Sequence, residues 1–135
     1  MSDFPLYLAA FLVVLGVLIV VHEFGHYLIA RLCGVRVLRF SVGFGRPLLR
    51  FKIGRDQTDW VLAVFPLGGY VKMLDERETP VAAAELHRAF NRQTVGKRSA
   101  IVAAGPIANL LLAVCLYWGL FLYGSYELLP ILGTP

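Results

Sequence analysis

Two stretches of this chain run without a single charged side chain: Phe4 to Val21, eighteen residues, and Ser99 to Tyr126, twenty-eight. A helix rises about 1.5 Å per residue, so each run is long enough for a hydrocarbon core roughly 30 Å thick. Backbone in lipid must satisfy its own hydrogen bonds, so both runs are predicted to be helices. The overall composition, 58% apolar over 135 residues, agrees. The first run is expected to be retained rather than cleaved as a leader. No Lys or Arg precedes Arg31, and the run passes into a polar motif instead of an A-x-A-like site.

The formal net charge of +4 acquires meaning only once it is located. All thirteen basic residues lie between Arg31 and Arg98, together with six of the nine acids. By the positive-inside rule that middle segment is cytoplasmic and both ends of the chain face outward. The charges flank apolar runs and belong to no recognisable nucleic-acid module, so no nucleic-acid partner is expected and membrane lipid is. Cys33 and Cys115, one at the end of the first helix and one inside the second, form no disulfide framework or CxxC metal site.

These features predict a mainly α membrane protein: two transmembrane helices joined by a cytoplasmic-side, membrane-associated antiparallel β region. Residues 1–34 form the first span, from about Pro5 to Leu32, with Ser2 or Asp3 as cap and Gly34 at the exit. Residues 35–74 are rich in β-branched and aromatic side chains and read as three or four strands. Gly43-Phe44-Gly45, Gly54-Arg55-Asp56 and Pro66-Leu67-Gly68-Gly69-Tyr70 are the expected turns. Leu38, Phe40, Phe44, Leu48, Phe51 and Trp60 are apolar residues on its outward side, and forty residues make a marginal core alone. The unit is either a self-contained meander or a sheet dipping into the membrane. Residues 75–98 form a linker followed by a segment that is either an interfacial amphipathic helix or a solvated connector, with Leu86, Ala89 and Phe90 on one side. Residues 99–126 form the second span, in which Pro106 frees a backbone carbonyl, and 127–135 an extracytoplasmic tail.

The chemistry is concentrated in His22-Glu23-Phe24-Gly25-His26. Residues four apart share one helical face, so two imidazoles at this spacing can bind a single zinc ion. Glu23, about 100° around the helix from His22, is the candidate catalytic base for water at the metal. Gly25 leaves a flank where another backbone can approach. The alternative is a pair of histidines satisfied by ordinary hydrogen bonds. An ionisable motif on so apolar a run favours function. Depth adds a second candidate. His22 lies about 14 Å along the helix from Arg31 and Asn109 about 16 Å from Arg98, so the two polar positions match in depth. Asn109 is expected to bind substrate or an oxyanion, or to make a helix–helix hydrogen bond.

Together the HEFGH motif, Gly43-Phe44-Gly45, Pro66-Leu67-Gly68-Gly69-Tyr70-Val71-Lys72-Met73 and Ala104-Gly105-Pro106-Ile107-Ala108-Asn109 resemble the site-2 protease family of intramembrane zinc metalloproteases, in the family's order and over nearly the whole chain. The resemblance implies Zn2+ held by His22 and His26, Glu23 as catalytic base, and a β region, including Gly43, Phe44 and Gly45, that presents substrate. Asn109 falls on the family's Gly-Pro-x-x-Asn motif, which favours the site role. The resemblance further implies regulated intramembrane proteolysis in the bacterial inner (cytoplasmic) membrane. The substrate would be a single-span membrane protein, such as an anti-sigma factor already trimmed outside the membrane, or a remnant signal peptide.

The family's third zinc ligand, an Asp in a later span, has no counterpart in these residues, and its PDZ domains are absent as well. His87, Asp75 and Glu78 are the substitutes the sequence offers, each in a charged stretch without partner spacing. A truncated chain, inactive by itself, is the expectation. A non-catalytic membrane module lacking the third ligand is the alternative.

Overall fold

In the computed structural model, which describes residues 3–124, the first apolar run becomes helix α1, Phe4–Leu32. Pro5 sits in its first turn, where the missing N–H costs nothing. Asp3 occupies the cap position but makes no side-chain capping bond, so the expected cap is present in place and not in bonding. At the other end Gly34 takes φ +82, with Gly34 N–H donating to Arg31 O and Val35 N–H to Ala30 O. This is a Schellman closure, and its accompanying apolar contact is made by Val35 and Ala30, both in the core.

The β region is a single long antiparallel hairpin: β1, Val37–Ile53, and β2, Thr58–Met73. The register runs from Ile53↔Thr58 through Phe51↔Trp60 and Leu49↔Leu62 to Val42↔Gly69 and Val37↔Met73. Residues 39–42 meet β2 twice, opposite 69–72 and again beside 59–62, where the paired numbers rise together. The hairpin is therefore folded over on itself. Two bent strands replace the three or four expected. Gly54–Gln57 is the turn between β1 and β2. Gly43-Phe44-Gly45 and Pro66 to Tyr70, expected as turns, are assigned to strands, but the register shows β1 and β2 each folding back near these positions. Gly43 and Gly45, at φ +89 and +90, bend β1 without ending it, and Pro47 and Pro66 fall where the register is irregular.

Residues 75–94 contain two short 3-10 turns, Ala83–Arg88 and Phe90–Arg92, in place of an amphipathic α-helix. Backbone bonds explain the difference. Arg36 N–H donates to Arg88 O, Leu74 N–H to Arg36 O and Phe90 N–H to Leu74 O. Those long-range bonds hold the segment extended enough to tie the ends of β1 and β2, and Ala89 is fully buried. Helix α2, Val95–Tyr123, starts four residues earlier than expected because Thr94 caps it through Lys97 N–H. The expected end of this span at Tyr126 and the tail 127–135 lie outside the described residues.

A small core joins the pieces: Ala30, Val35, Val37 and Ile101, flanked by Tyr27, Cys33, Val71, Met73 and Phe90. Tyr27, Phe40 and Trp60 pack edge and face between α1 and the hairpin, with Phe40 and Trp60 ring centroids 4.4 Å apart. Ion pairs fasten the hairpin turn. Asp56 pairs with both Arg31 at the end of α1 and Arg88. Across the strands, Asp59 accepts from Arg50 Nε at 2.7 Å and Arg39 Nε at 3.0 Å. Both helices are long and apolar enough to cross a membrane, and none of the most apolar stretch of α1 is buried by this chain.

Candidate metal centre

The site forms where α1 crosses α2. Gly25 makes the crossing close: a Cβ there would meet Ala104 O and stand 2.8 Å from Ala108 Cβ. The flank left open by Gly25 is therefore filled by the backbone of α2. One turn of α1 then lays His22 and His26 over Gly105. A Cβ on Gly105 would lie 2.7 Å from His22 Nε2 and closer still to His26 Nε2. Two imidazole nitrogens from one helical face thus share a small space that exists because residue 105 has no side chain. Their ring centroids are 4.9 Å apart. Zinc–nitrogen bonds are about 2.0–2.1 Å, so a cradle of this size fits a metal held by two histidines.

The far ring nitrogens are also engaged. His26 Nδ1 lies 2.7 Å from the carbonyl oxygen of Ile101. His22 Nδ1 lies 3.4 Å from Nδ2 of Asn109, whose Oδ1 is buried without a partner. His22 and Asn109, matched in depth by residue counting, are in contact. Pro106 lacks an N–H and frees the carbonyl of Val102, whereas the carbonyl that His26 uses is the neighbouring one, from Ile101.

Glu23 faces the hairpin. Gly69 lets it approach: a Cβ there would stand 2.8 Å from Glu23 Cγ and 2.8 Å from Ser41 O. Glu23 lines two cavities at once. One, of about 440 Å³, is largely apolar and includes Leu18, His22, Phe44, Leu67 and Asn109. The other, of about 520 Å³, includes His26, Lys72, Asp75, Arg77 and Glu78. Of the Gly43 to Gly45 stretch, Phe44 alone reaches the first cavity. Its ring stacks on Tyr70 with centroids 6.2 Å apart. Gly43 is packed against the Phe65 carbonyl instead.

No group of three or more His, Cys, Asp or Glu side chains placed to hold a metal occurs among the described residues. Asp75 and Glu78 share the second cavity with His26 but form no metal-holding group with the histidines, and Asp75 is engaged by Arg77 at 2.9 Å. The Arg77 hydrogen bonds hold the Asp75 carboxyl below the usual carboxylate range, against the opposing effect of burial. His87 lies in a 3-10 turn, outside both cavities. Gly105, Gly69 and Ile101 escaped sequence reasoning as site residues. Glycine beside proline in an apolar helix was the available signal for the first. A backbone acceptor such as Ile101 leaves none.

Comparison with known proteins identifies the family. A family model described as Peptidase family M50 matches residues 10–133. The regulator of sigma-E protease RseP of Salmonella typhimurium is 56% identical over 130 residues, covering 95% of this chain and 29% of that protein. Its Escherichia coli counterpart is 55% identical over 126 residues, covering 93% and 28%. A putative zinc metalloprotease of Ralstonia nicotianae is 57% identical over 134 residues, covering 93% and 29%. The chain spans under a third of the length of these relatives.

Proposed function

This chain belongs to peptidase family M50, the site-2 proteases, and from that premise we propose that it supplies two zinc ligands and the catalytic base of an intramembrane endopeptidase. The observation that carries the proposal is the convergence of His22 Nε2 and His26 Nε2 over Gly105, with Glu23 one residue along the same helix. His22 and His26 would hold the zinc, and the remaining ligand comes from outside the described residues. When bound, zinc supplies Lewis acidity to a water and to the scissile carbonyl. Glu23 takes the proton of the attacking water on a carboxylate oxygen and passes it to the leaving amide nitrogen.

The two cavities divide the work. The apolar one receives an unwound stretch of a membrane-spanning substrate between α1 and the hairpin. The other, lined by the charged side chains of Lys72, Asp75 and Glu78, admits water. An extended substrate segment adds alongside the hairpin, with Phe44 packed against it. Support for a bilayer setting comes from the two exposed apolar helices, and the charge distribution favours a cytoplasmic middle segment. By likeness to the sigma-E regulators, the substrate would be a single-span protein such as a pre-cleaved anti-sigma factor or a remnant signal peptide, in the bacterial inner membrane.

In the full-length protein, Glu23→Gln is expected to lower cleavage about 10²- to 10⁴-fold, the usual worth of a general base, with zinc still bound. Normal cleavage by that variant removes Glu23 from the mechanism. The ligand count motivates a second reading, a membrane module that does not cleave. A parent reading frame without further acidic or histidine ligands in later spans would favour it.

A further inference from the structure

Resting on the metal reading above, we propose that Asn109 is a positioning residue for the metal: its amide oxygen accepts the Nδ1 proton of His22 and so keeps that ring's Nε2 free to ligate. The two imidazoles are supported unequally. The partner of His26 Nδ1 is the Ile101 carbonyl at 2.7 Å. A carbonyl only accepts, so Nδ1 carries the proton and Nε2 keeps its lone pair. That ring is set for a metal before one arrives.

His22 depends on a side chain that can face it either way. With the amide nitrogen 3.4 Å from Nδ1, the amide donates, the ring proton sits on Nε2, and the nitrogen beside Gly105 cannot ligate. Turning the amide by 180° exchanges two atoms of nearly equal size. Oδ1, buried without a partner in the present orientation, then accepts from Nδ1–H. The turn exchanges one unpartnered amide atom for another, so counting hydrogen bonds does not choose between the orientations. The metal does, because a ligating Nε2 requires the proton on Nδ1. Metal binding and the turned amide therefore favour one another, as expected for the outer partner of a ligating histidine. The same contact accounts for a polar residue in the middle of an otherwise apolar helix.

The test takes the full-length protein in detergent, with zinc as the probe and chelator competition as the readout. Asn109→Leu keeps the volume and accepts nothing; it is expected to weaken zinc binding about 10- to 100-fold. Asn109→Asp, whose carboxylate accepts the same proton, is expected to bind zinc at least as tightly as the unaltered protein. If the Leu variant does not fold, NMR of the His22 Nδ1–H in the zinc-loaded protein decides: that proton's shift is expected to move in Asn109→Asp, and a shift unchanged by that substitution overturns the proposal. A folded Leu variant with undiminished zinc affinity and slow turnover would move Asn109 to the substrate and overturn the proposal. Zinc-loaded His22 with its proton on Nε2 overturns it as well. Unaltered protein that binds no zinc sinks the metal reading itself, a separate outcome.

Discussion

Gly105 is buried, and a Cβ on it would stand 2.7 Å from one imidazole nitrogen and nearer the other. A single methyl group therefore competes for the space between the two rings. Gly105→Ala is expected to abolish stoichiometric zinc in the full-length protein, because both rings must turn away from a group they cannot share space with. Elemental analysis against unaltered protein checks this, and an Ala variant with full zinc content would show that the metal lies elsewhere. The roles of His22 and His26 could be reasoned from their spacing, since i and i+4 share a helical face whatever the fold. The role of Gly105 could not. Its relation to the histidines spans some eighty residues of chain and is set only when α1 packs on α2.

The hairpin depends on a charge arrangement that crosses its strands. Asp59 is 5% exposed and accepts from Arg50 and Arg39. The Arg50 hydrogen bond foremost, opposed by burial and assisted by Arg39, holds its carboxyl below the usual range. A depressed carboxyl contributes stability that is complete above its unfolded value, about 4, and is lost as pH falls through the lower folded value. Amide exchange in 58–62, corrected for intrinsic rate, is therefore expected to quicken on acidification below about pH 4. Asp59→Asn should weaken the hairpin at neutral pH and flatten that acid response. Exchange that accelerates equally in the Asn variant would mean that another group titrates. At this scale the β character of residues 37–73 was legible from composition, but the strand count was not. Glycines that look like turns can equally be positions where a strand bends, and only the partner strand distinguishes the two.

At the scale of the molecule, ion pairs of the charged middle add to the small core that joins the pieces. Asp56, in the hairpin turn, binds Arg31 from α1 and Arg88 from the stretch before α2, so one carboxylate joins three parts of the sequence. Away from that middle both helices present apolar surface that this chain leaves uncovered, with Phe4, Tyr7, Phe121 and Leu122 among the exposed residues. Membrane embedding with a basic inner side predicts the accessibility of the turn. With Cys33 and Cys115 replaced by Ser, a cysteine at Arg55 should react with an impermeant maleimide only from the cytoplasmic face. Labelling from the opposite face alone would reverse the orientation. The order of apolar runs, the charged middle and the HEFGH spacing were all determined by the sequence, because lipid solvation and helical periodicity act locally along a chain. The tertiary structure decided what surrounds the motif: Gly105 beneath the rings, Ile101 and Asn109 behind them, Gly69 beside Glu23. Those neighbours are fixed by how α1, α2 and the folded hairpin pack together, and no local pattern encodes that packing.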